Sequence, residues 1–317
     1  MGGGVHSHLA RPVGAPQLSP RGNYADRSML TFIRGFLMGS ADVVPGVSGG
    51  TVALIVGIYP RLIDNVRRGA GALAAFARFR LSDGAERLRG IEWSFILPLL
   101  GGIAAALISL ARLIEHLLED YPVEMSALFF GLVVASVFVA RQMVAEWDAV
   151  RLVTFAAVAA VAFFVLGLRS GEAENPATWV FFLAGAIAIC AMILPGVSGS
   201  FLLLMLGMYE ALLGAVNDRE ILVLLVFIVG AVIGLALFSS VLHWALDHHH
   251  DLVMAAITGL LLGSLRVLWP WPNGIEGPEL SGPVADEFAA PFLLSVVGAG
   301  IVFLITRLGA KSEAPVG

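Results

Sequence analysis

The sequence predicts an all-α polytopic membrane protein of two inverted repeats, each a re-entrant helical hairpin plus three transmembrane helices. Three observations carry this: an apolar composition, two interrupted apolar stretches that align on one another, and an uneven placement of arginine. Of 317 residues, 58% are hydrophobic and 14% charged, against about 25% charged in a soluble globule. Mean hydropathy is +0.88. Lipid is the solvent for most of this chain.

A bilayer core takes about 20 apolar residues per helix, and such runs recur near 93–113, 124–141, 151–168, 220–241, 251–269 and 290–306. These are six predicted spans. Two further stretches, 29–66 and 179–216, are too long for one span, and Pro and Gly interrupt each in the middle. Residues 1–27 hold Gly, Pro and basic residues without an apolar core, so they read as a disordered tail rather than a signal peptide. The lone Cys190 excludes an internal disulfide and a cysteine-clustered metal site. No nucleotide-binding motif is present, so ATP hydrolysis is not expected. No cofactor, metal or nucleic-acid partner is expected either.

The interrupted stretches match at an offset of 150 residues. The run from Ala41 to Gly50 aligns without a gap on that from Ala191 to Ser200, with five consecutive identities in Pro-Gly-Val-Ser-Gly, and the register persists through Gly57/Gly207 and Tyr59/Tyr209. Self-similarity at one fixed offset marks a repeated unit. Pro45 and Pro195 disfavour helix at the residue before them and donate no amide. Gly46 and Gly196 tolerate left-handed backbone, and Ser48 and Ser198 suit the N-cap of a helix that restarts. Each stretch therefore reads as helix, break, helix. Broken backbone at membrane depth persists only inside protein or against a watery cavity, which makes re-entrant hairpins of 29–66 and 179–216.

A hairpin adds no net crossing, and three spans follow the first one. The second hairpin then enters from the opposite face, the plan of transporters built on inverted repeats. Repeat 1 covers 28–168, with a basic cytoplasmic loop at 67–90, and repeat 2 covers 178–308 before a short tail at 309–317. Cytoplasmic loops hold the positive charge. Fifteen of the Lys and Arg residues fall on the predicted inner side and four, Arg112, Arg169, Arg219 and Arg266, on the outer. Both termini are expected in the cytoplasm. The basic loop either lies along the inner leaflet, touching anionic membrane lipid, or is merely solvated.

At each hairpin tip the restarted helix offers free amides and the positive end of its dipole, an anion site in the making. Ser48, Gly49, Gly50 and Thr51 from one tip and Ser198, Gly199 and Ser200 from the other are the expected substrate-binding groups. They suit a phosphate or carboxylate, unless the serines only cap and the glycines only pack. Asp42 is the sharpest single residue, since a carboxylate near the membrane centre costs about 3 kcal/mol unless it faces a cavity or partner. Its counterpart is Met192. Beside a bound anion an ionised Asp42 would repel, so it is read as a proton- or cation-coupling group, with sodium as the other candidate ion. The alternative is a hydrogen bond to broken hairpin backbone. Arg61, Glu210, Tyr59 and Tyr209 sit on the returning arms as gates or interfacial anchors. His243 and His248 to His250 read as a solvated loop, and Trp269 and Trp271 as an outer aromatic belt.

The run from Gly39 through Pro45-Gly46-Val47-Ser48-Gly49-Gly50-Thr51, followed by Gly57-Ile58-Tyr59, resembles the bacterial polyprenyl-phosphate transporter family. Pro195-Gly196-Val197-Ser198-Gly199-Ser200-Phe201 is similar to that family's second hairpin, and the resemblance runs from about residue 30 to 308. It implies an undecaprenyl-phosphate flippase of the bacterial cytoplasmic membrane, which returns the spent lipid carrier of cell-wall synthesis from the outer to the inner leaflet. A phosphate head then needs a shielded polar path while its isoprenoid tail stays in lipid. The site should open sideways, with Gly35, Gly39, Gly57, Gly185 and Gly207 lining the opening or serving close helix packing. Two rivals stand beside this reading. One is a transporter or channel for a small soluble anion, and the other is an enzyme acting on lipid phosphate, for which the intramembrane residues supply no acid–base cluster.

Overall fold

The computed structural model describes residues 22–42, 48–168, 176–274, 280–283 and 288–312. These form α-helices: α1 Gly22–Asp42, α2 Gly49–Ile55, α3 Tyr59–Ala77, α4 Leu81–Arg89, α5 Trp93–Asp120, α6 Pro122–Arg141, α7 Ala149–Val165, α8 Thr178–Ile193, α9 Gly199–Met205, α10 Tyr209–Asn217, α11 Ile221–His248, α12 His250–Ser264 and α13 Ala289–Ser312. Among the described residues α5, α6, α11 and α13 are long and apolar enough to cross a bilayer. Helices α7, α8 and α12, of 17, 16 and 15 residues, are apolar but shorter than the roughly 20 residues a perpendicular span needs.

Each interrupted stretch has two breaks rather than one. The first is the predicted one: α8 ends at Ile193 and α9 begins at Gly199, with Gly196 at φ +91°. Pro45 and Gly46 lie outside the described residues. The second break follows the short helix. Gly57 and Gly207 stand at φ +75° and +67°, a region open to glycine and closed to most L side chains, and they end α2 and α9. Pro60 at the first turn of α3 then restarts the chain, where its missing amide is not needed. Helices α9 and α10 meet at 107°. Gly57 and Gly207 are therefore turn residues. Helix α3 also runs to Ala77, beyond the expected hairpin end at 66, and α4 follows as a separate surface helix.

Close backbone approach fixes the helix pairs. A Cβ on Gly35 would sit 2.1 Å from the Leu99 carbonyl oxygen, and one on Gly102 2.1 Å from that of Phe32. In the other half, Gly185 and Gly230 stand in the same relation to Phe227 and Phe182, at 2.2 and 2.0 Å. Helix α1 thus packs on α5 and α8 on α11, with Gly35, Gly39 and Gly185 at helix crossings, the packing alternative for these residues. The remaining long helices pair across the halves: α6 with α13 and α7 with α12. Gly131 meets Ser295 of α13, and Gly259 meets Phe155 of α7.

These contacts also set depth. Gly39 lies against Ile103 and Ala106, midway along α5. The Cys190 thiol points at the Gly234 carbonyl, midway along α11. Both breaks therefore fall near the middle of the neighbouring long helix. At one end of the bundle Arg61 of α3 pairs with Glu92 before α5, and Asp64 of α3 lies 4.0 Å from His243 near the end of α11. Helix α5 begins where α11 finishes.

His243 belongs to α11 and bonds Asp247 at 3.1 Å. With α11 ending at His248 and α12 starting at His250, the expected histidine loop is a near-continuous helical corner. Trp269 packs edge-on to Trp271 and Phe130, and its indole donates to the Ser281 carbonyl.

Candidate functional site

The two interrupted stretches meet at their breaks, and the contact is made of hydroxyls and orphan carbonyls. A helix leaves its last carbonyls without intrahelical partners, and inside a membrane another protein group must satisfy them. At the end of α8 that group comes from the first interrupted stretch. The Tyr59 hydroxyl donates to the Ile193 carbonyl at 3.1 Å. The Ser48 hydroxyl reaches the carbonyls of Met192 and Leu194, each at 3.2 Å, and its single proton serves one of them at a time. In return the Gly196 amide donates to Thr51 Oγ1 at 2.8 Å. Ser48, Thr51 and Tyr59 are all essentially buried, with 1%, 0% and 1% exposure. Gly50 permits this approach, since a Cβ there would stand 2.8 Å from the Ile193 carbonyl oxygen.

All seven residues of α2 are buried, which puts this short helix at the centre of the bundle. Its amides are already in use. Gly49 donates to Asp42 Oδ1 at 2.7 Å, Gly50 to Ser48 Oγ at 3.1 Å, and Thr51 to the Ser48 carbonyl at 2.9 Å. Asp42 therefore does what the alternative reading allowed, its carboxyl oxygen holding the broken backbone at the start of α2.

The second tip repeats the geometry with different chemistry. Gly199 lies against Met192 as Gly49 lies against Asp42: a Cβ would come 2.6 Å from Met192 Cγ and 2.5 Å from Asp42 Oδ2. A thioether is a weak acceptor, so Met192 is a poor cap for α9. Ser198 makes no side-chain cap; its hydroxyl pairs with that of Ser200 at 2.9 Å. Helix α9 buries only Gly199, Phe201, Leu203 and Met205, and Ser200 is exposed. Of the two predicted anion-binding tips, one is enclosed and occupied by the protein's own groups; at the other Ser198 is buried and Ser200 exposed.

The remaining candidates separate. Tyr59 is a buried crosslink, whereas Tyr209 is half-buried and Glu210 exposed. Arg61 donates through Nε to Glu92 Oε2 at 2.9 Å and lies 4.1 Å over the Phe95 ring. That pairing holds Glu92 below the ordinary carboxylate range and fastens α3 to the start of α5. Nothing among the described residues joins Arg61 to Glu210. Sequence reasoning missed Glu92 as the partner, although an acid one residue before a predicted span was the available signal. It also missed the carbonyls of residues 192–194, which carry no side-chain signature. No group of three or more metal-ligating side chains occurs among the described residues.

Comparison with known proteins bears on this site. The chain is 42% identical over 246 residues to a polyprenyl-phosphate transporter of Vibrio cholerae serotype O1, a match that covers 78% of this chain and 79% of that protein. It is 30% identical over 258 residues to a polyprenyl-phosphate transporter of Staphylococcus aureus, covering 76% and 86% respectively. No solved structure matches. The family model of undecaprenyl phosphate translocase-like proteins matches residues 38–282, a stretch that runs from the last turn of α1 through α12. This multi-pass membrane protein belongs to the undecaprenyl phosphate translocase-like family.

Proposed function

We propose that the chain transports a polyprenyl phosphate, carrying the spent lipid carrier of cell-envelope synthesis from the outer to the inner leaflet of the bacterial cytoplasmic membrane. The observation that carries this reading is the joint between the hairpins. Two broken helices meet near mid-depth, and the start of α9 offers Ser198, Gly199 and Ser200 without an acid of its own. A phosphate fits there by accepting from hydroxyls and helix-terminal amides. The names of the two relatives supply the lipid.

The reading includes two inverted repeats with re-entrant hairpins and both termini in the cytoplasm. Its support is the recurrence of the α1–α5 packing in α8–α11, the exchange of α6–α13 and α7–α12 partners, and the opposed directions of α5 and α11. The Lys and Arg distribution favours the end that holds Arg61, Arg67, Arg68 and Arg151 as the inner one.

Asp42 is the coupling group of this scheme. While ionised it occupies the start of α2 and repels an approaching phosphate; protonation removes that charge without removing its carbonyl oxygen as a cap for Gly49. One proton taken up with the lipid and released on the other side couples the two movements.

Equilibrium binding to purified protein tests the substrate. Polyprenyl phosphate is expected to bind more tightly than the uncharged polyprenol or inorganic phosphate, with Ser198→Ala/Ser200→Ala weakening it. Equal binding of inorganic phosphate, together with its passage into liposomes, would instead favour a transporter of small anions.

A further inference from the structure

We infer that the isoprenoid tail of the lipid lies in a pair of related apolar grooves, one in each half of the bundle, with each groove ending at a hairpin break. This rests on the proposed function and adds to it the place where the tail is held.

The larger groove has a volume of about 470 Å³ and runs between α7, α8, α9 and α12. That is within the size range of small-molecule sites, roughly 300 to 1,000 Å³. Its lining is hydrocarbon apart from the Cys190 thiol. The smaller, about 170 Å³, runs between α1, α2, α5, α6 and α13, and Ser40 is its one polar side chain. Neither polar group faces a ligand freely: Ser40 donates to its own helix at Phe36, at 2.7 Å, and Cys190 is turned to Gly234.

The grooves correspond residue by residue. Ile187, Cys190, Ala191 and Leu202 of the larger stand 150 positions after Leu37, Ser40, Ala41 and Val52 of the smaller. The wall from α12 follows at a second offset, Leu260 matching Leu132 at 128 positions. The third wall comes from the opposite half in both cases: Val161, Ala162 and Val165 of α7 stand 140 positions before Ile301, Val302 and Ile305 of α13. A chance packing defect would not recur on three helices at three separate offsets.

Position identifies the occupant. Val161, Val165 and Ile187 are 62%, 43% and 43% exposed, and Ile301 is 41% exposed, so both grooves open on the surface that lipid covers. Each floor reaches a break: Leu194 and Val197 in the larger, Ala41 beside Asp42 in the smaller. A phosphate at the tip thus leaves the first isoprene units of its own tail in the adjoining groove. Two equivalent berths let the tail change sides as the head crosses. The larger has the greater volume, about 470 against 170 Å³, so the tail is expected there first.

Cys190, the one thiol in the sequence, provides the readout. Wild-type protein in liposomes is treated with N-ethylmaleimide alone, then with a long-chain polyprenyl phosphate, geranyl phosphate or phosphatidic acid. The long-chain lipid is expected to slow alkylation of Cys190 several-fold, and phosphatidic acid to leave it unchanged. Ser40→Cys/Cys190→Ser moves the reporter to the smaller groove, where protection by the same lipid is expected. Val161→Trp and Ile301→Trp fill the grooves from the lipid side. They should slow transport of the long-chain lipid while geranyl phosphate still competes for the head site, and this arm decides if Cys190 is inert to the reagent. Long-chain lipid that binds without protecting either thiol, equal protection by phosphatidic acid, or full transport by both tryptophan variants overturns the inference and leaves the transporter reading intact. Failure of every polyprenyl phosphate to bind overturns both.

Discussion

Asp42 accepts the Gly49 amide at 2.7 Å, whereas Met192, in the equivalent place beside Gly199, has only a thioether to offer. This difference separates the two tips: the first is closed by its own carboxylate and the second has no side-chain cap. It also separates two roles of Asp42 by mutation. Asp42→Asn keeps an acceptor for Gly49, so stability in detergent should hardly change, while the pH dependence of transport disappears. Asp42→Ala removes the cap and should lower unfolding stability by about 1 kcal/mol. Equal destabilisation by both variants would contradict the capping geometry.

The link between hairpins predicts a second effect. Tyr59→Phe leaves the Ile193 carbonyl without its 3.1 Å donor, and an unsatisfied buried acceptor costs about 1–3 kcal/mol. Thermal unfolding of Tyr59→Phe, Ser48→Ala and the double variant should show coupling, since both side chains serve adjacent carbonyls.

Some of this was legible in the sequence and some was not. The first break in the second stretch was, because Pro195 and Gly196 constrain their own backbone and need no distant partner. Asp42 to Gly49 was legible as one of two readings, being a contact across seven residues. The bond from Tyr59 to Ile193 spans 134 residues, and nothing local to Tyr59 distinguishes a buried crosslink from a surface gate. Gly35 and Gly185 were visible as repeated glycines, but whether they faced a lateral opening or a helix depended on α5 and α11. His243 reads, with its polar neighbours, as a loop. The apolar period of α11 instead carries through it, and Asp64 and Asp247 give the imidazole partners.

The second break predicts a contrast among glycines. Gly57→Ala and Gly207→Ala force an L side chain into left-handed backbone at about 1–2 kcal/mol each. Gly214→Ala, inside α10 with open space around it, should be neutral or stabilising by up to about 1 kcal/mol. Melting temperatures of the three variants check this directly.

The Arg61–Glu92 pair predicts a pH-dependent term. The Arg61 guanidinium holds the Glu92 carboxyl below its ordinary value of 4.5, so the pair stabilises the fold above that pH and ceases to do so as pH falls through the lowered value. Both side chains are well exposed, which limits the effect to about 0.5 kcal/mol. Glu92→Gln should lower the melting temperature slightly at pH 7 and not at all at pH values below Glu92's own titration.

The most direct test of the central claim is the movement of a polyprenyl phosphate between leaflets of liposomes containing the purified protein, followed with and without a pH gradient. The account predicts protein-dependent movement that responds to the gradient in wild type, and movement that Asp42→Asn slows or frees from the gradient. Wild-type protein that binds the lipid yet leaves it in its original leaflet under every gradient would contradict it.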